Sequence, residues 1–336
     1  MKKSWKKVSI KKIAEIANVG TATVDRVLYY RKGVRKETKV KVLNALSYLE
    51  NGESKKKNIL LLCQSGSTYN DTLKDNIKKK NYYENKINLD YDFILTKDSF
   101  SSNLENKILN TKKLDGLIVI STENKRINNI VNTFVLQNKP VITLTSDLSD
   151  SNRHAYVGND QVAAGSTAAK LLTSSIKHKK GAILMIISQP FRCQQERELG
   201  FKKILRYEFP KLKIKEAIQT TDTSEESYKH IKRYIKDNGP PLGIYNITGG
   251  NLGVADALKE SGYKKNICFV GHELNKHTKK LLTSDQMDYV IGHDVGSELK
   301  SSISLIENYY KNKDLNNIKS NIQIYNKYNC NDEEHV

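Results

Sequence analysis

Short apolar runs alternate with amphipathic segments along most of the chain from residue 58 onward. Continuous apolar strands separated by helices are typical of parallel sheets covered on both faces. The pattern therefore predicts an α/β fold of the doubly wound kind. The predicted strands are 58–63, 89–95, 115–120, 140–144, 181–187, 241–245, 266–270 and 287–291. The predicted helices are 70–80, 102–111, 125–137, 160–176, 193–207, 224–237, 250–261, 275–283 and 294–312.

The first 50 residues have a different pattern, which predicts three short helices. Apolar residues recur at helical spacing from Ile10 to Ala17, and the Ser9 hydroxyl is placed to cap that helix. Gly20 falls in the following turn, where glycine tolerates unusual dihedral angles, and Thr21 is placed to cap the second helix. Three helices with a tight first turn are typical of a helix-turn-helix domain. The third helix is expected to bury one face, made of Val40, Leu43, Leu46 and Leu49.

A helix-turn-helix domain presents its second helix to the major groove of DNA. Arg26 is the strongest candidate for reading a base, because a guanidinium can pair with guanine through two hydrogen bonds. Its neighbours on that helix would face other bases, and the surrounding polar and basic residues would contact phosphates. A three-helix bundle without DNA function is the alternative. The candidate DNA-contacting residues are Ser9, Lys11, Thr21, Ala22, Thr23, Asp25, Arg26, Tyr29, Lys32 and Arg35.

Charge strengthens the assignment of the first region. The chain carries a net charge of +19, and residues 1–58 hold 16 Lys and Arg against 5 Asp and Glu. Such a concentration of positive charge indicates a polyanion as partner. A solvated lysine-rich surface is the alternative, and it fits the remainder of the chain better than it fits residues 1–58.

Residues 8–46, VSIKKIAEIANVGTATVDRVLYYRKGVRKETKVKVLNAL, resemble the DNA-binding head of the LacI family of bacterial transcription regulators. Asp25 stands where that family usually has Ser. The family often continues with a hinge helix that inserts into the minor groove. The segment 51–58 is polar and lacks the Ala and Leu pattern of that helix. We expect it to be a linker that either binds phosphates through its lysines or has no fixed structure.

The rest of the chain resembles the periplasmic-binding-protein-type effector domain of the same family, closest to the ribose and galactose type. The resemblance lies in PVITLTSDLSDSNRHAYVGNDQVAAGSTAAKLL, ERELGFKKIL and CFVGHELNKHTKKLL. It implies two lobes with a ligand cleft between them. The expected organisation is a head at 1–50, a linker at 51–58 and an effector domain at 59–330. The first lobe would comprise about 59–158 with part of 286–330, and the second 159–285.

The same resemblance assigns the cleft residues. Glu273 stands where the family has an Asp that accepts sugar hydroxyls, and His293 stands near a family Gln. Of the two nearby arginines, Arg192 is expected to reach the ligand more readily than Arg197. Several of the polar residues could instead only cap helices that follow strands. The candidate set is Ser67, Tyr69, Asn70, Ser146, Asp147, Asp160, Phe191, Arg192, Arg197, Asn246, Glu273 and His293.

These observations predict a cytoplasmic, ligand-responsive transcription regulator. We expect a homodimer on a palindromic double-stranded DNA operator, with repression released by a sugar or polyol. The alternatives are a solute-binding protein without DNA function and an enzyme on the same scaffold. No cofactor, metal or membrane partner is expected, because the His spacing is wrong for a helical zinc pair and no apolar run approaches about 20 residues. The four cysteines are expected to be reduced and buried.

Overall fold

Three helices form a separate unit at the N-terminal end of the described chain. The structure, a computed structural model, describes residues 8–50, 56–79, 87–96, 98, 108, 113–176, 180–188, 190–218 and 222–330. The three helices bury a small core that includes Ile13, Val24 and Val42. The predicted hinge-region linker lies largely outside the described residues. The helices are α1 (Ile10–Ala17), α2 (Thr21–Leu28) and α3 (Lys36–Glu50).

Local details of the head differ from the sequence expectation. Ser9 is the residue before α1, but its side chain makes no capping hydrogen bond. The N-cap of α2 is Gly20, whose φ of −69° is ordinary, and the left-handed residue in the turn is Asn18 at φ 50°. Asparagine tolerates this conformation because its short polar side chain can bond locally. The left-handed position of the turn is therefore Asn18 and not Gly20.

The buried face of α3 is rotated from the expected one. Val42 and Ala45 are fully buried, whereas Leu43 is 48% exposed. A strict three-residue spacing drifts around a helix that has 3.6 residues per turn, so Val40, Leu43, Leu46 and Leu49 cannot all share one face. The prediction that Leu43 is a core residue was wrong.

The first lobe is built on a six-stranded parallel sheet in the order β11-β5-β4-β3-β1-β2. One apolar face packs on helices α4 and α11, and the other packs on α5. The prediction that helices cover both faces of the sheet is confirmed. The elements are β1 (Lys57–Ser65), α4 (Ser67–Lys79), β2 (Ile87–Leu95), β3 (Gly116–Ile120), α5 (Lys125–Leu136), β4 (Val141–Leu144), β5 (Ala155–Asn159), α11 (Val295–Tyr310) and β11 (Ile318–Ser320).

The second lobe repeats this plan in the order β12-β10-β9-β8-β6-β7, with β12 antiparallel to β10. Helices cover both faces of this sheet as well. The elements are α6 (Gln161–Ser175), β6 (Gly181–Ile187), α7 (Arg192–Glu208), β7 (Leu212–Ile218), α8 (Ser224–Asn238), β8 (Gly243–Asn246), α9 (Asn251–Glu260), a short 3₁₀ helix (Lys264–Asn266), β9 (Cys268–His272), α10 (Lys276–Thr283), β10 (Tyr289–Gly292) and β12 (Gln323–Tyr325).

In the described part of the chain, the backbone crosses between the lobes at 160, at 293–294 and at 321–322. The second lobe therefore extends to Gly292, beyond the boundary at 285 expected from the sequence. β10 belongs to the second sheet because it pairs in parallel with β9. His293 lies in the second crossing, where the lobes meet.

Candidate functional site

The candidate DNA-contacting residues lie at the surface of the head. Arg26 on α2 and Tyr29 just beyond the end of α2 are exposed, as are the surrounding basic residues. Asp25 is half-buried, and its carboxylate lies 3.3 Å from an Arg31 guanidinium nitrogen. That pairing offsets the negative charge of Asp25 on the face that DNA would meet. Contact of this face with DNA stays a prediction. The remaining candidates on this surface are Ser9, Lys11, Thr21, Ala22, Lys32 and Arg35, which are exposed, and Thr23, which is half-buried.

A second site lies between the lobes, where the carboxyl ends of both sheets meet. It is a cleft enclosing about 660 Å³, part of it open to solvent. Parallel sheets bind ligands at this edge because the loops that follow their strands converge there. Both lobes supply polar and apolar side chains to the wall. The lining residues are Ser65, Gly66, Thr68, Tyr69, Ile120, Thr145, Ser146, Phe191, Cys193, Gln194, Arg197, Asp222, Ile247, Thr248, Gly249, Asn251, His272, Glu273 and Asn275.

A chain of buried charges runs from the cleft wall into the crossing segment. Arg197 donates from Nη2 to Glu273 Oε1 at 3.2 Å. Glu273 Oε2 lies 3.3 Å from His293 Nε2, although the angle there is poor for a hydrogen bond. His293 Nδ1 lies 2.8 Å from Glu298 Oε1 on α11. The chain alternates cation and anion, which is how buried charges are tolerated.

The network also ties the two lobes together. Thr145 Oγ1 on the first lobe donates to Glu298 Oε2 at 3.4 Å and shares a 2.6 Å hydrogen bond with the Tyr69 hydroxyl. Arg197 Nε on the second lobe donates to Gln161 Oε1 at 2.7 Å, and Gln161 Nε2 donates to the Thr145 carbonyl at 3.1 Å. A movement of one lobe would therefore change the contacts of the charged groups on the other lobe.

The protonation states follow from these contacts. Burial alone would lower the pKa of His293, but the adjacent Glu273 and Glu298 carboxylates raise it to about 10. Burial opposes ionisation of Glu273, yet His293 and Arg197 lower its pKa to about 2. Glu273 and His293 are therefore both charged at neutral pH.

Stability should depend on pH through this pair. His293 gains a raised pKa on folding, so its contribution is full below its ordinary value of 6.5 and is lost as pH rises towards 10. Glu273 contributes fully above 4.5 and loses its contribution as pH falls towards 2. The free energy of unfolding, measured in urea, should decrease from pH 6 to pH 9.5. This decrease should be smaller in His293→Gln than in the wild type. The same substitution at half-exposed His230 is the control, and equal losses in both variants would contradict the assignment.

Three residues of the cleft wall have a left-handed backbone conformation. Thr145, Asp222 and Glu273 have φ values of 61°, 57° and 68°. A left-handed conformation is costly for most residues, and for β-branched threonine in particular. Such strain clusters at binding sites, where the surrounding structure holds the backbone in place. Three strained residues lining one cleft support its role as the ligand site.

Two glycines allow the close helix packing that places Arg197. A Cβ on Gly165 of α6 would lie 1.9 Å from the Arg197 carbonyl oxygen, and one on Gly200 of α7 would lie 2.0 Å from the Val162 carbonyl oxygen. The two helices therefore touch backbone to backbone. This contact fixes the base of the Arg197 side chain, which points into the cleft.

The structure brings together part of the predicted ligand set. Tyr69, Ser146, Phe191, Arg197 and Glu273 line the cleft. Arg192 was expected to reach the ligand more readily than Arg197, but it is Arg197 that lines the cleft. Arg192 is half-exposed, lies outside the cleft and donates hydrogen bonds to Glu196 and Ser149.

The other predicted residues have structural roles next to the cleft. Asp160 caps α6 by accepting from the Ala163 amide at 3.0 Å, and it pairs with Lys319. Asp147 is held by Arg153. Asn70 on α4 accepts a hydrogen bond from Ser65 at the end of β1, and Asn246 donates to the loop that follows β8. Ser67 is exposed, and His293 lies behind Glu273.

Several lining residues were missed by the sequence analysis. Asp222 follows β7, a strand whose sequence LKIKEAI alternates polar and apolar residues and was not among the predicted strands. Thr145 follows β4 and was passed over for its neighbours Ser146 and Asp147. The signal that could have found both is position, because each follows the carboxyl end of a strand.

A basic helix-turn-helix head joined to a two-lobed receptor defines a ligand-responsive DNA-binding regulator. The chain belongs to the family described as periplasmic binding protein domain, which matches residues 60–314. Residues 9–50 match the family described as bacterial regulatory proteins, lacI family. The two resemblances expected from the sequence are confirmed. Among the described helices, none is both long enough and apolar enough to span a membrane.

Individual relatives agree with both parts. The chain is similar to the probable HTH-type transcriptional repressor ExuR of Bacillus subtilis (strain 168), at 23% identity over 71% of this chain and 72% of that protein. Its fold is similar to GanP, a glucose-galactose binding protein from Geobacillus stearothermophilus, with a TM-score of 0.72, 17% identity, and 82% and 98% of the two chains covered. A solute-binding protein from Burkholderia graminis C4D1M in complex with D-arabinose gives a TM-score of 0.73 at 17% identity, covering 83% and 98%.

Proposed function

We propose that this chain is a repressor whose hold on DNA is released by a sugar or polyol bound in the cleft. The supporting observation is the cleft wall itself, where the ionised Glu273 and Arg197 face a cavity bordered by the aromatic rings of Tyr69 and Phe191. A carboxylate accepts hydrogen bonds from hydroxyls and a guanidinium donates them, while an aromatic face covers the apolar side of a sugar ring. The sugar-binding names of the fold relatives agree with this ligand class.

The repressor name of the curated relative supports the direction of the response. Two heads on a palindromic operator multiply a weak half-site affinity through effective concentration, so we include a homodimer in the proposal. The protein would act in the cytoplasm, where the DNA is. The match of residues 9–50 to the lacI family favours this function over a solute-binding protein without DNA function.

Catalysis is not part of the proposal. Cys193, the thiol in the cleft wall, has a pKa raised by burial, so it keeps its proton and is a poor nucleophile. Glu273 is held ionised between Arg197 and His293 and serves as a hydrogen-bond acceptor. Turnover of a sugar by the purified protein would contradict this part of the proposal.

A ligand screen tests the effector class. The full chain is heated with individual sugars, polyols and nucleosides, and a ligand present at 100 times its Kd should raise the unfolding free energy by about 2.7 kcal/mol. The compound that stabilises the protein should then weaken its binding to DNA. A panel in which only nucleosides stabilise the protein, or a stabilising sugar that leaves DNA binding unchanged, would contradict the proposal.

DNA affinity should depend steeply on salt. If Lys11, Lys32 and Arg35 each neutralise one phosphate, affinity for one half-site should fall about 40-fold between roughly 50 and 200 mM salt. Fluorescence anisotropy with a labelled duplex measures this slope. Lys125→Ala, at an exposed position of α5, should leave the slope unchanged. A flat salt response in the wild type would rule out the proposed phosphate contacts.

A further inference from the structure

Asp222 is a second carboxylate in the cleft, and its surroundings differ from those of Glu273. It lies between β7 and α8, and its Oδ1 accepts a 2.6 Å hydrogen bond from the Gly249 amide. Its Oδ2 faces the opposite lobe, since a Cβ built on Gly66 would lie 2.9 Å from that oxygen. The carboxylate therefore stands where the two lobes come close together.

Among the described residues, no cation pairs with the carboxylate of Asp222. Glu273 lies between Arg197 and His293, which neutralise it. Burial raises the pKa of Asp222, hydrogen bonds from Gly249 and Thr248 lower it, and the charge of another acid, Glu226, raises it further. A half-buried carboxylate without a cation relies on hydrogen-bond donors.

We infer that Asp222 determines ligand specificity by accepting hydroxyl groups and by repelling ligands that carry a carboxylate or phosphate. The inference rests on the proposed sugar or polyol effector and narrows it to uncharged members. An uncharged sugar supplies donors to both Asp222 oxygens. A sugar acid would bring a second negative charge to a site where Arg197, the arginine among the described lining residues, is already paired with Glu273.

Matched sugars test this specificity. Binding of D-glucose, D-galactose, D-allose and D-arabinose is measured by calorimetry on the full chain, beside D-glucuronate and D-galacturonate. We expect D-glucose or D-galactose, when it binds, to have at least tenfold higher affinity than the corresponding uronate. Asp222→Asn keeps the shape and the Gly249 hydrogen bond but removes the charge. It should therefore lower the ratio of hexose affinity to uronate affinity at least tenfold. Asp222→Glu should retain the preference.

The control is Asp256→Asn, an exposed carboxylate on α9, which should leave the ratio unchanged. A wild-type protein that binds a uronate more tightly than its neutral partner would overturn the inference but leave the sugar effector standing. So would an unchanged ratio in Asp222→Asn. Failure of every sugar and uronate to bind would instead overturn the proposed effector class, and this inference with it.

A separate contact joins the effector domain to the head. Asn312, just beyond the C-terminal end of α11, donates from Nδ2 to the Ile16 carbonyl at 3.3 Å and to the Lys41 carbonyl at 3.1 Å. Lys57, the first residue of β1, places its ammonium 3.8 Å from the centre of the Tyr310 ring. The end of α11 therefore touches two helices of the head and also the start of the effector domain.

The other end of α11 carries Glu298, which bonds His293 behind the cleft. The helix has 16 residues, which is about 24 Å of rigid backbone. Its buried face, which includes Leu299 and Ile306, packs in the first-lobe core. One rigid element thus contacts the charge network at one end and the head at the other.

The geometry points to α11 as the connection through which the cleft controls the head, with Asn312 as the coupling residue. Asn312 has a left-handed φ of 55°, so Asn312→Gly removes the amide without straining the backbone. We expect this variant to bind DNA and effector as the wild type does, while the fold-change in DNA affinity caused by saturating effector drops at least fivefold. The stabilising sugar from the ligand screen is the probe.

Lys311→Ala, an exposed neighbour, is the control and should keep the full response. An undiminished effector response in Asn312→Gly would overturn the coupling role. Loss of DNA binding by Asn312→Gly without effector would overturn it as well, because the contact would then support the fold of the head. Coupling between distant sites is established only by such a measurement.

Discussion

Glu273→Ala is expected to lower the free energy of unfolding by about 3–5 kcal/mol and to abolish the effector response. The carboxylate compensates two buried cations, Arg197 and His293, and its removal leaves Arg197 without a carboxylate partner and His293 with Glu298 alone. It also removes a hydroxyl acceptor from the cleft wall. Urea unfolding measures the first effect, and ligand titration in the presence of labelled DNA measures the second.

Two further variants separate the contributions of charge and shape at this position. Glu273→Gln retains the shape and should fold better than Glu273→Ala while still losing the response. Glu225→Ala removes a fully exposed partner of Lys229 and should leave unfolding unchanged. Stability of Glu273→Ala within about 1 kcal/mol of the wild type would show that the buried network is not organised as described.

Arg26→Ala is expected to cost about 1–3 kcal/mol of discrimination between the operator and an unrelated duplex, a factor of roughly 5 to 150. The reason is that Arg26 is exposed on α2, the helix that enters the major groove in helix-turn-helix domains. Anisotropy titrations on both duplexes measure the ratio, and effector binding should be unaffected.

Arg35→Ala provides the contrast, because a phosphate contact should weaken binding to both duplexes equally and reduce the salt slope by about one. If Arg26→Ala keeps the wild-type ratio of operator affinity to unrelated-duplex affinity, Arg26 does not recognise a base. A changed ratio in Arg35→Ala would assign it to base recognition instead.

The fold was predictable because its signals are periodic. Apolar runs such as ILLLC and AILMII are buried on both faces of parallel strands, so they stand out from the sequence. β7 was missed because it is an edge strand with alternating Lys213 and Lys215, and its composition is not that of a buried strand. Side-chain direction on α3 was misjudged where the three-residue spacing was followed too strictly.

The position of the cleft was predictable from the sequence, but the residues that line it were only partly predictable. A polar residue after a strand either caps the next helix or faces the ligand, and local sequence does not distinguish the two for Asp160 and Glu273. The difference lies in backbone conformation, since Glu273 takes a left-handed φ that turns its side chain towards Arg197. Arg197 itself was identifiable, because Cys193, Arg197 and Gly200 share the buried face of α7.

The most direct test of the account is the affinity of the full chain for a labelled operator duplex, measured with and without a saturating sugar that stabilises the protein. Occupancy of the cleft is predicted to weaken operator binding at least tenfold in the wild type and to leave Glu273→Gln unchanged. An operator affinity that is the same with the cleft empty and filled would contradict the central claim that this receptor controls its head.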